Sequence, residues 1–232
     1  MKSFFLLVVP LSFLLGCGPD TNDADQPIRV DEGLRPAWVD PNDPYTQYDI
    51  NTIKFLDDVA ASSQDVPGLT ELVFVTLDQQ EKKVSDYIQD QHVVVVVTRG
   101  NTDPICPYCS TQVARLIKRH SEIQNQNAEV LVVYPVQIQK EESVHGFLAE
   151  ANRLLDTKDE SPFPVLLDVE LKGVSALGIQ EDLSKPATYI VDRDGAVRFA
   201  YVGANRADRP SVDAILKELK AINASNSEAA GE

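Results

Sequence analysis

Cysteine, histidine and positive charge are all scarce in this chain. Cysteine and histidine each occur only three times in 232 residues. His92, His120 and His145 are nowhere paired at zinc-finger spacing, so a cysteine pair finds no second pair of ligands and no metal site is expected. His120 falls on the apolar side of its segment and reads as a packed histidine; His145 reads as a surface one. Basic residues number 21 against 36 acidic ones, a formal net charge of -15. That balance argues against nucleic acid or an anionic lipid surface as a partner. Beyond the first residues, no apolar run approaches the ~20 residues of a membrane span, and no internal repeat is visible.

What is present begins with targeting. Lys2 precedes an almost wholly apolar run, Phe4 to Leu15, too short for a comfortable span and suited to the core of a signal peptide. It ends in Leu14-Leu15-Gly16-Cys17, which resembles the bacterial lipobox. The resemblance implies that residues 1–16 are a lipoprotein signal peptide and that Cys17 is acylated after cleavage; the competing reading is an ordinary signal peptide with Cys17 left free. Residue 18 is Gly rather than Asp, so the inner-membrane retention signal is missing. The expected place is the cell envelope, at the periplasmic face of an outer membrane. Residues 17–49 are rich in Asp, Asn, Pro and Gly and read as a flexible acidic tether. A chain of about 30 such residues spans roughly 30 Å, although Trp38, Tyr45 and Tyr48 could dock on the domain. Residues 50–222 are long enough for one domain with a full core, and 223–232 read as a disordered tail.

Within the domain, Ile50 to Ala61 is expected to form a short amphipathic helix and Leu72 to Leu77 a strand. The segment Val84 to Ile88 suits a turn of helix. Val93 to Thr98 is a β-branched run of the kind buried on both faces of a parallel sheet. Val113, Leu116, Ile117, His120 and Ile123 then recur at helical spacing, and Glu129 to Val136 is a second β-branched run. Strand, helix and strand make a right-handed βαβ unit. A helix over Ser143 to Leu155, a strand over Phe163 to Leu167 and a helix-like Leu171 to Leu177 come next. Thr188 to Val191 and Val197 to Val202 flank Asp192-Arg193-Asp194-Gly195, a hairpin signal. Ser211 caps a last helix with the apolar stripe Val212, Ile215, Leu216 and Leu219. This order is expected to give an α/β, thioredoxin-like arrangement: one domain with a mixed sheet flanked by helices.

The chemistry is expected at Cys106-Pro107-Tyr108-Cys109, where the first run of valines gives way to a helix. A Cys-x-x-Cys at a strand-to-helix junction marks a dithiol redox site. A thiol at a helix N-terminus meets unpaired N–H groups and the positive end of the dipole, which favour thiolate. Pro107 suits the first helical position because it lacks an N–H. Cys109 follows one turn later on the same face, within bridging reach. The expected roles are Cys106 as exposed nucleophile and Cys109 as shielded resolving thiol. A purely structural disulfide is a poor alternative, because so small a loop restrains the unfolded chain little.

Val94-Val95-Val96-Val97-Thr98-Arg99-Gly100 followed by Cys106-Pro107-Tyr108-Cys109 resembles the strand, Arg-Gly and Cys-Pro-x-Cys segment of peroxiredoxin-like proteins of the AhpC/TSA group, within the thioredoxin superfamily. Pro186-Ala187-Thr188-Tyr189-Ile190-Val191-Asp192-Arg193-Asp194-Gly195 is similar to that group's later Pro-x-Thr-aromatic strand and Asp-Gly turn. The resemblance covers about Leu69 to Ile222. It implies that Pro186 is a cis-proline facing the dithiol, binding the partner segment, while Thr188 and Tyr189 are ordinary strand residues. It also exposes departures. Typical peroxiredoxins carry Thr or Ser three residues before the peroxidatic cysteine and an Arg near the later strand. Counted from Cys106, the first position holds Asp103, with Thr102 one residue further back, and Pro186 falls roughly where the Arg belongs. Arg99 can supply positive charge to the thiolate, but Asn101 to Ile105 separate it from Cys106, and a solvent-facing arginine at a strand end competes with that role.

Three functions therefore stand side by side. The first is an exported, lipid-anchored thiol–disulfide oxidoreductase, in which Cys106 attacks a partner disulfide and Cys109 resolves the mixed disulfide. The second is a thiol peroxidase, with Cys106 oxidised to sulfenic acid and Cys109 condensing with it. The third is a lipid-anchored binding module holding an inert disulfide. No cofactor is expected beyond a redox-active Cys106–Cys109 disulfide. The expected partner is a protein or small-molecule disulfide or dithiol.

Overall fold

In the computed structural model, the valine-rich run becomes an interior strand of a seven-stranded mixed sheet. The structure describes residues 53–61, 66, 68–138, 141–155, 157 and 160–229. The segments expected as signal peptide and tether, Cys17 included, lie outside them.

The strands are β1 (Val73–Thr76), β2 (Glu81–Lys83), β3 (His92–Val97), β4 (Ala128–Val136), β5 (Val165–Val169), β6 (Ala187–Val191) and β7 (Val197–Val202). Their order across the sheet is β2-β1-β5-β4-β3-β6-β7. β3, β4 and β5 run parallel, while β1, β2, β6 and β7 join antiparallel at the two edges. Every residue of β3 is buried, as a continuous β-branched strand covered on both faces requires. Successive side chains point to opposite faces. Val94 and Val96 enter one core with Val130 and Val132, and Val93, Val95 and Val97 enter the other with Leu131 and Val133.

The helices are α1 (Pro107–Lys118), α2 (His120–Gln124), α3 (Glu141–Leu154), α4 (Lys172–Ala176) and α5 (Val212–Ala229). α1, α3 and α5 cover the first face through Val113, Leu116, Phe147, Ile215 and Leu219. α4 and a 3-10 turn at Val84–Tyr87 cover the second through Val174 and Val84. The stripe expected to continue through Ile123 is interrupted at Arg119 (φ -113°, ψ 17°), where α1 ends and α2 begins. His120 packs as expected, donor or acceptor to Glu129 at 2.8 Å and edge-on to Phe163, and His145 is exposed. The Asp192–Gly195 turn closes the β6–β7 hairpin with Gly195 at φ +82°. The Ser211 hydroxyl accepts the Ala214 N–H at 3.1 Å, capping α5.

Three expectations are corrected. Residues 53–61 are extended, not helical. Ile53 and Phe55 are buried and Leu56 is exposed, the period of two that an extended segment shows. Leu56 bridges to Pro210, its N–H donating to the Arg209 carbonyl at 2.9 Å and its carbonyl accepting the Ser211 N–H at 2.8 Å. The Arg115 guanidinium holds the same segment, donating to the Ile53 carbonyl at 2.7 Å and lying over the Phe55 ring. Second, α5 does not give way to a tail at Asn223 but continues to Ala229. Asn223 is tied down, donating to the Gln126 carbonyl and bonding His92. Third, Pro186 is not a cis-proline: among the described residues the single cis bond is Asp103–Pro104. Pro186 leads into β6, and its carbonyl accepts the Gly203 N–H at 2.9 Å, which continues the β6–β7 ladder and holds the peptide as an ordinary strand start.

Candidate active site

Both cysteines of the Cys-Pro-x-Cys segment lie at the start of α1. Cys106 is the N-cap, with extended backbone (φ -65°, ψ 112°), and Pro107 is the first helical residue. The Cys106 carbonyl accepts the N–H groups of Cys109 and Ser110 at 3.0 and 3.1 Å, which fixes the first turn and sets the two sulfurs one above the other. Both are free thiols and neither is open to solvent: Cys106 is 7% exposed and Cys109 1%.

The groups around the sulfurs converge on Cys109. The Arg99 backbone N–H donates to its Sγ at 3.4 Å. The Arg209 guanidinium donates through Nη2 to the same atom at 3.2 Å, and the Cys106 thiol faces it as a donor. Arg209 is itself 1% exposed. Its remaining donors go to the Gln112 Oε1 at 2.7 Å and the Arg206 carbonyl at 2.8 Å. Among the described residues it has no carboxylate partner. An uncompensated buried cation costs several kcal/mol, and the ionisable group that accepts its hydrogen bond is the Cys109 sulfur.

The protonation of the pair follows from this geometry. Burial pushes the Cys109 thiol up, but the Cys106 thiol, the Arg209 charge and the Arg99 N–H outweigh it and hold Cys109 below the ordinary thiol range. Cys106 is pushed up, first by donating to Cys109 and then by burial. The donors thus favour the negative charge on Cys109, with Cys106 as the neutral thiol beside it. A helix N-terminus favours thiolate at Cys106 by a fraction of a kcal/mol to about 1 kcal/mol, less than three converging donors supply to its neighbour.

Arg99 meets the Cys109 sulfur through its backbone N–H and not through its guanidinium. Its position is set by Gly100 (φ +90°), where a side chain would strike the Pro135 carbonyl. The Arg99 side chain instead lines a cavity together with Pro186. Pro186 is buried there and touches neither sulfur by hydrogen bond. Arg209 escapes a reading of the sequence altogether: it stands in a polar loop, 100 residues from Cys109. Its one signal is its place just ahead of Pro210 and the Ser211 cap, where the loop must pass over the start of α1. Tyr134 shares the core of the two cysteines and packs on Phe147; burial, then the Cys109 charge, pushes its hydroxyl up. Among the described residues, no cluster of three His, Cys, Asp or Glu side chains could hold a metal ion.

The AhpC/TSA family model matches residues 63–200, more than half of the sequence. The chain belongs to the AhpC/TSA family. The spinach chloroplastic 2-Cys peroxiredoxin BAS1 is 25% identical over 174 residues, which cover 72% of this chain and 61% of that protein. The chain thus spans about three fifths of the length of the curated relatives it matches. Among solved structures, Mycobacterium tuberculosis AhpC superimposes with a TM-score of 0.51 at 25% identity, over 72% of this chain and 82% of that one. A yeast mitochondrial 1-Cys peroxiredoxin, whose thiol is resolved via glutathione/thioredoxin systems, gives 0.59 at 15% identity over 74% and 80%. The fold is thioredoxin-like, as the order of elements predicts. Arg209 falls beyond the stretch the family model matches.

Proposed function

We propose that this AhpC/TSA protein is an oxidoreductase that reduces hydroperoxides, with Cys109 as the peroxidatic residue and Cys106 as the resolving one. The observation that carries the reading is the buried Arg209 guanidinium at 3.2 Å from the Cys109 sulfur. It supplies the counterion of a thiolate and a donor for the developing charge when an O–O bond breaks. The family's hydroxyl three residues before the reactive cysteine also finds its counterpart on this reading. Counted back from Cys109, that position is Cys106 itself, whose thiol donates to the thiolate.

The Cys109 thiolate takes the distal oxygen of ROOH, the O–O bond breaks, and the leaving alkoxide picks up a proton as ROH. Cys109 is then a sulfenic acid. The Cys106 thiol attacks that sulfur, giving up its proton, and the hydroxyl leaves as water. The product is a Cys106–Cys109 disulfide, the redox-active group in place of any cofactor. An external thiol or dithiol returns two electrons by exchange, a role compatible with the glutathione/thioredoxin systems that serve the yeast relative.

Burial of both sulfurs supports a small oxidant over a protein disulfide. The second reading, thiol–disulfide exchange begun by Cys106, is favoured by the greater exposure of that residue. The two separate in stopped-flow oxidation of the reduced protein by hydrogen peroxide. Fast oxidation that survives in Cys106→Ser and is lost in Cys109→Ser supports the peroxidase. A rate no better than that of a free thiolate eliminates it and leaves exchange through Cys106.

The site is expected to work in the cell envelope, held by lipid on Cys17. The support is the lipobox-like Leu14-Leu15-Gly16-Cys17. Mass spectrometry of the mature N-terminus tests it: an acylated Cys17 is expected, and a free Cys17 thiol or cleavage elsewhere overturns the anchor.

A further inference from the structure

Positive charge is rare in this chain, yet three cations meet at one cavity. Arg99, Lys185 and Arg206 line a space of about 230 Å³ together with Pro186 and Gly203, with one acidic residue, Glu181, at its rim. Among the described residues, neither Arg99 nor Lys185 has a side-chain partner, and the Arg99 Nε is buried with none. A buried donor left without an acceptor costs about 1–3 kcal/mol, and lining a cavity with three cations adds mutual repulsion. Nothing in the packing requires either. Gly203 packs tightly in the cavity wall: a Cβ there would come within 3.0 Å of the Pro186 side chain and would collide with the Asp208 carbonyl.

The cavity is joined to the thiolate through two of its own residues. The Arg99 backbone N–H donates to Cys109 while its side chain reaches the cavity. The Arg206 carbonyl holds Arg209, which donates to Cys109. A molecule seated there touches the two residues that hold the reacting sulfur or its guanidinium.

We propose that this cavity is a subsite for the carboxylate of a small co-substrate that reacts at the dithiol. A carboxylate accepts several charge-assisted hydrogen bonds at once and suits the planar fork of an arginine, and Arg99 and Lys185 are the cations it would satisfy. Hydrogen peroxide is too small to use the subsite and carries no charge. The chemistry fits two sources, a carboxylated hydroperoxide or the carboxylated thiol that regenerates the dithiol. The proposal rests on the peroxidase reading for the first source and is independent of it for the second.

The test uses matched pairs on the full chain. In the oxidant arm, kcat/KM is measured for a fatty-acid hydroperoxide and for its methyl ester. In the reductant arm, regeneration by 3-mercaptopropionate is set against 2-mercaptoethanol. Each acid-to-neutral ratio is compared between the native chain and the Lys185→Met, Arg206→Met and double variants; both side chains are part-exposed, so each single variant is a check on the other's folding. Saturation-transfer NMR with the unreactive 3-(methylthio)propionate reads occupancy without any turnover. The expected result is a fall of about tenfold in one ratio for each cation removed, with NMR transfer lost in the double variant. A fall in the oxidant arm assigns the carboxylate to the peroxide, and a fall in the reductant arm assigns it to the thiol. Unmoved ratios in both arms overturn the proposal. If acid and ester hydroperoxides alike fail to oxidise the protein, it is the peroxidase reading that is lost, and the thiol arm with the NMR still decides the cavity.

Discussion

Cys106 and Cys109 lie one helical turn apart, but their surroundings differ in kind. Cys106 has what local sequence provides: the N-cap position, Pro107 behind it and the end of a helix dipole. Cys109 has what the fold provides: a backbone N–H from the end of β3 and a guanidinium from the loop before α5. The second set favours the negative charge on Cys109. Tertiary convergence of donors in a buried place outweighs a favourable position on a helix, because each donor there acts without water to screen it.

Four experiments bear on that contrast, from the largest effect to the smallest. Replacing one sulfur and then the other breaks it most directly. Cys109→Ser is expected to lower the rate of peroxide reduction by on the order of 10³-fold or more. Cys106→Ser should still form a sulfenic acid, trapped by dimedone and seen by mass spectrometry, while turnover stops. Sulfenic acid on Cys106 in place of Cys109 would return the roles to those the motif suggests.

Removing the guanidinium comes next. Arg209→Met is expected to slow oxidation by roughly 10²-fold at neutral pH and to raise the acid limb of the pH–rate profile towards the ordinary thiol range near ~8.5. The same thiol links to stability. Its value in the folded chain is lowered, so its contribution is present above the unfolded thiol's value and is lost as pH falls through the folded one. Denaturant titrations from pH 9 downward should show stability declining on the acid side in the native chain, and a smaller decline in Arg209→Met.

Gln112→Leu sharpens the comparison by leaving Arg209 in place without one of its acceptors. A loss of about 1–3 kcal/mol is expected, with an acid limb moved less than in Arg209→Met. Last, Phe55→Ala loosens the extended segment whose Leu56 N–H holds the Arg209 carbonyl. Its main effect should be on stability, about 3 kcal/mol from the lost aromatic burial, with only a few-fold change in rate.

The elements legible in the sequence are those whose signals are local. Val93 to Val97 announce a strand buried on both faces, Asp192 to Gly195 a hairpin and Ser211 a capped helix, and all three are present. The dithiol itself is equally plain. What local pattern does not reach is contact across the chain. Ile53 and Phe55 alternate as an extended segment does, but a helix of spacing 3 to 4 fits Ile53, Leu56 and Ala60 as well; the pairing with Pro210 decides between them. Asn223 begins a polar stretch, and it becomes ordered by bonding His92 and Gln126 from other elements. Arg209 reads as one more charge in Arg206-Ala207-Asp208-Arg209, and only the folded loop turns it onto a sulfur. Lys185 and Arg206 look as ordinary in the sequence and meet only around the cavity.

The distance in sequence between Cys109 and Arg209 also sets an order of events. A chain made from its N-terminus at about 5–20 residues per second releases the dithiol roughly 5–20 s before Arg209 emerges. Through that interval Cys109 has no guanidinium beside it and behaves as a common thiol. The reactive centre is thus armed by a stretch of polypeptide that appears well after the dithiol, and the growing chain is spared the oxidation that the folded domain invites.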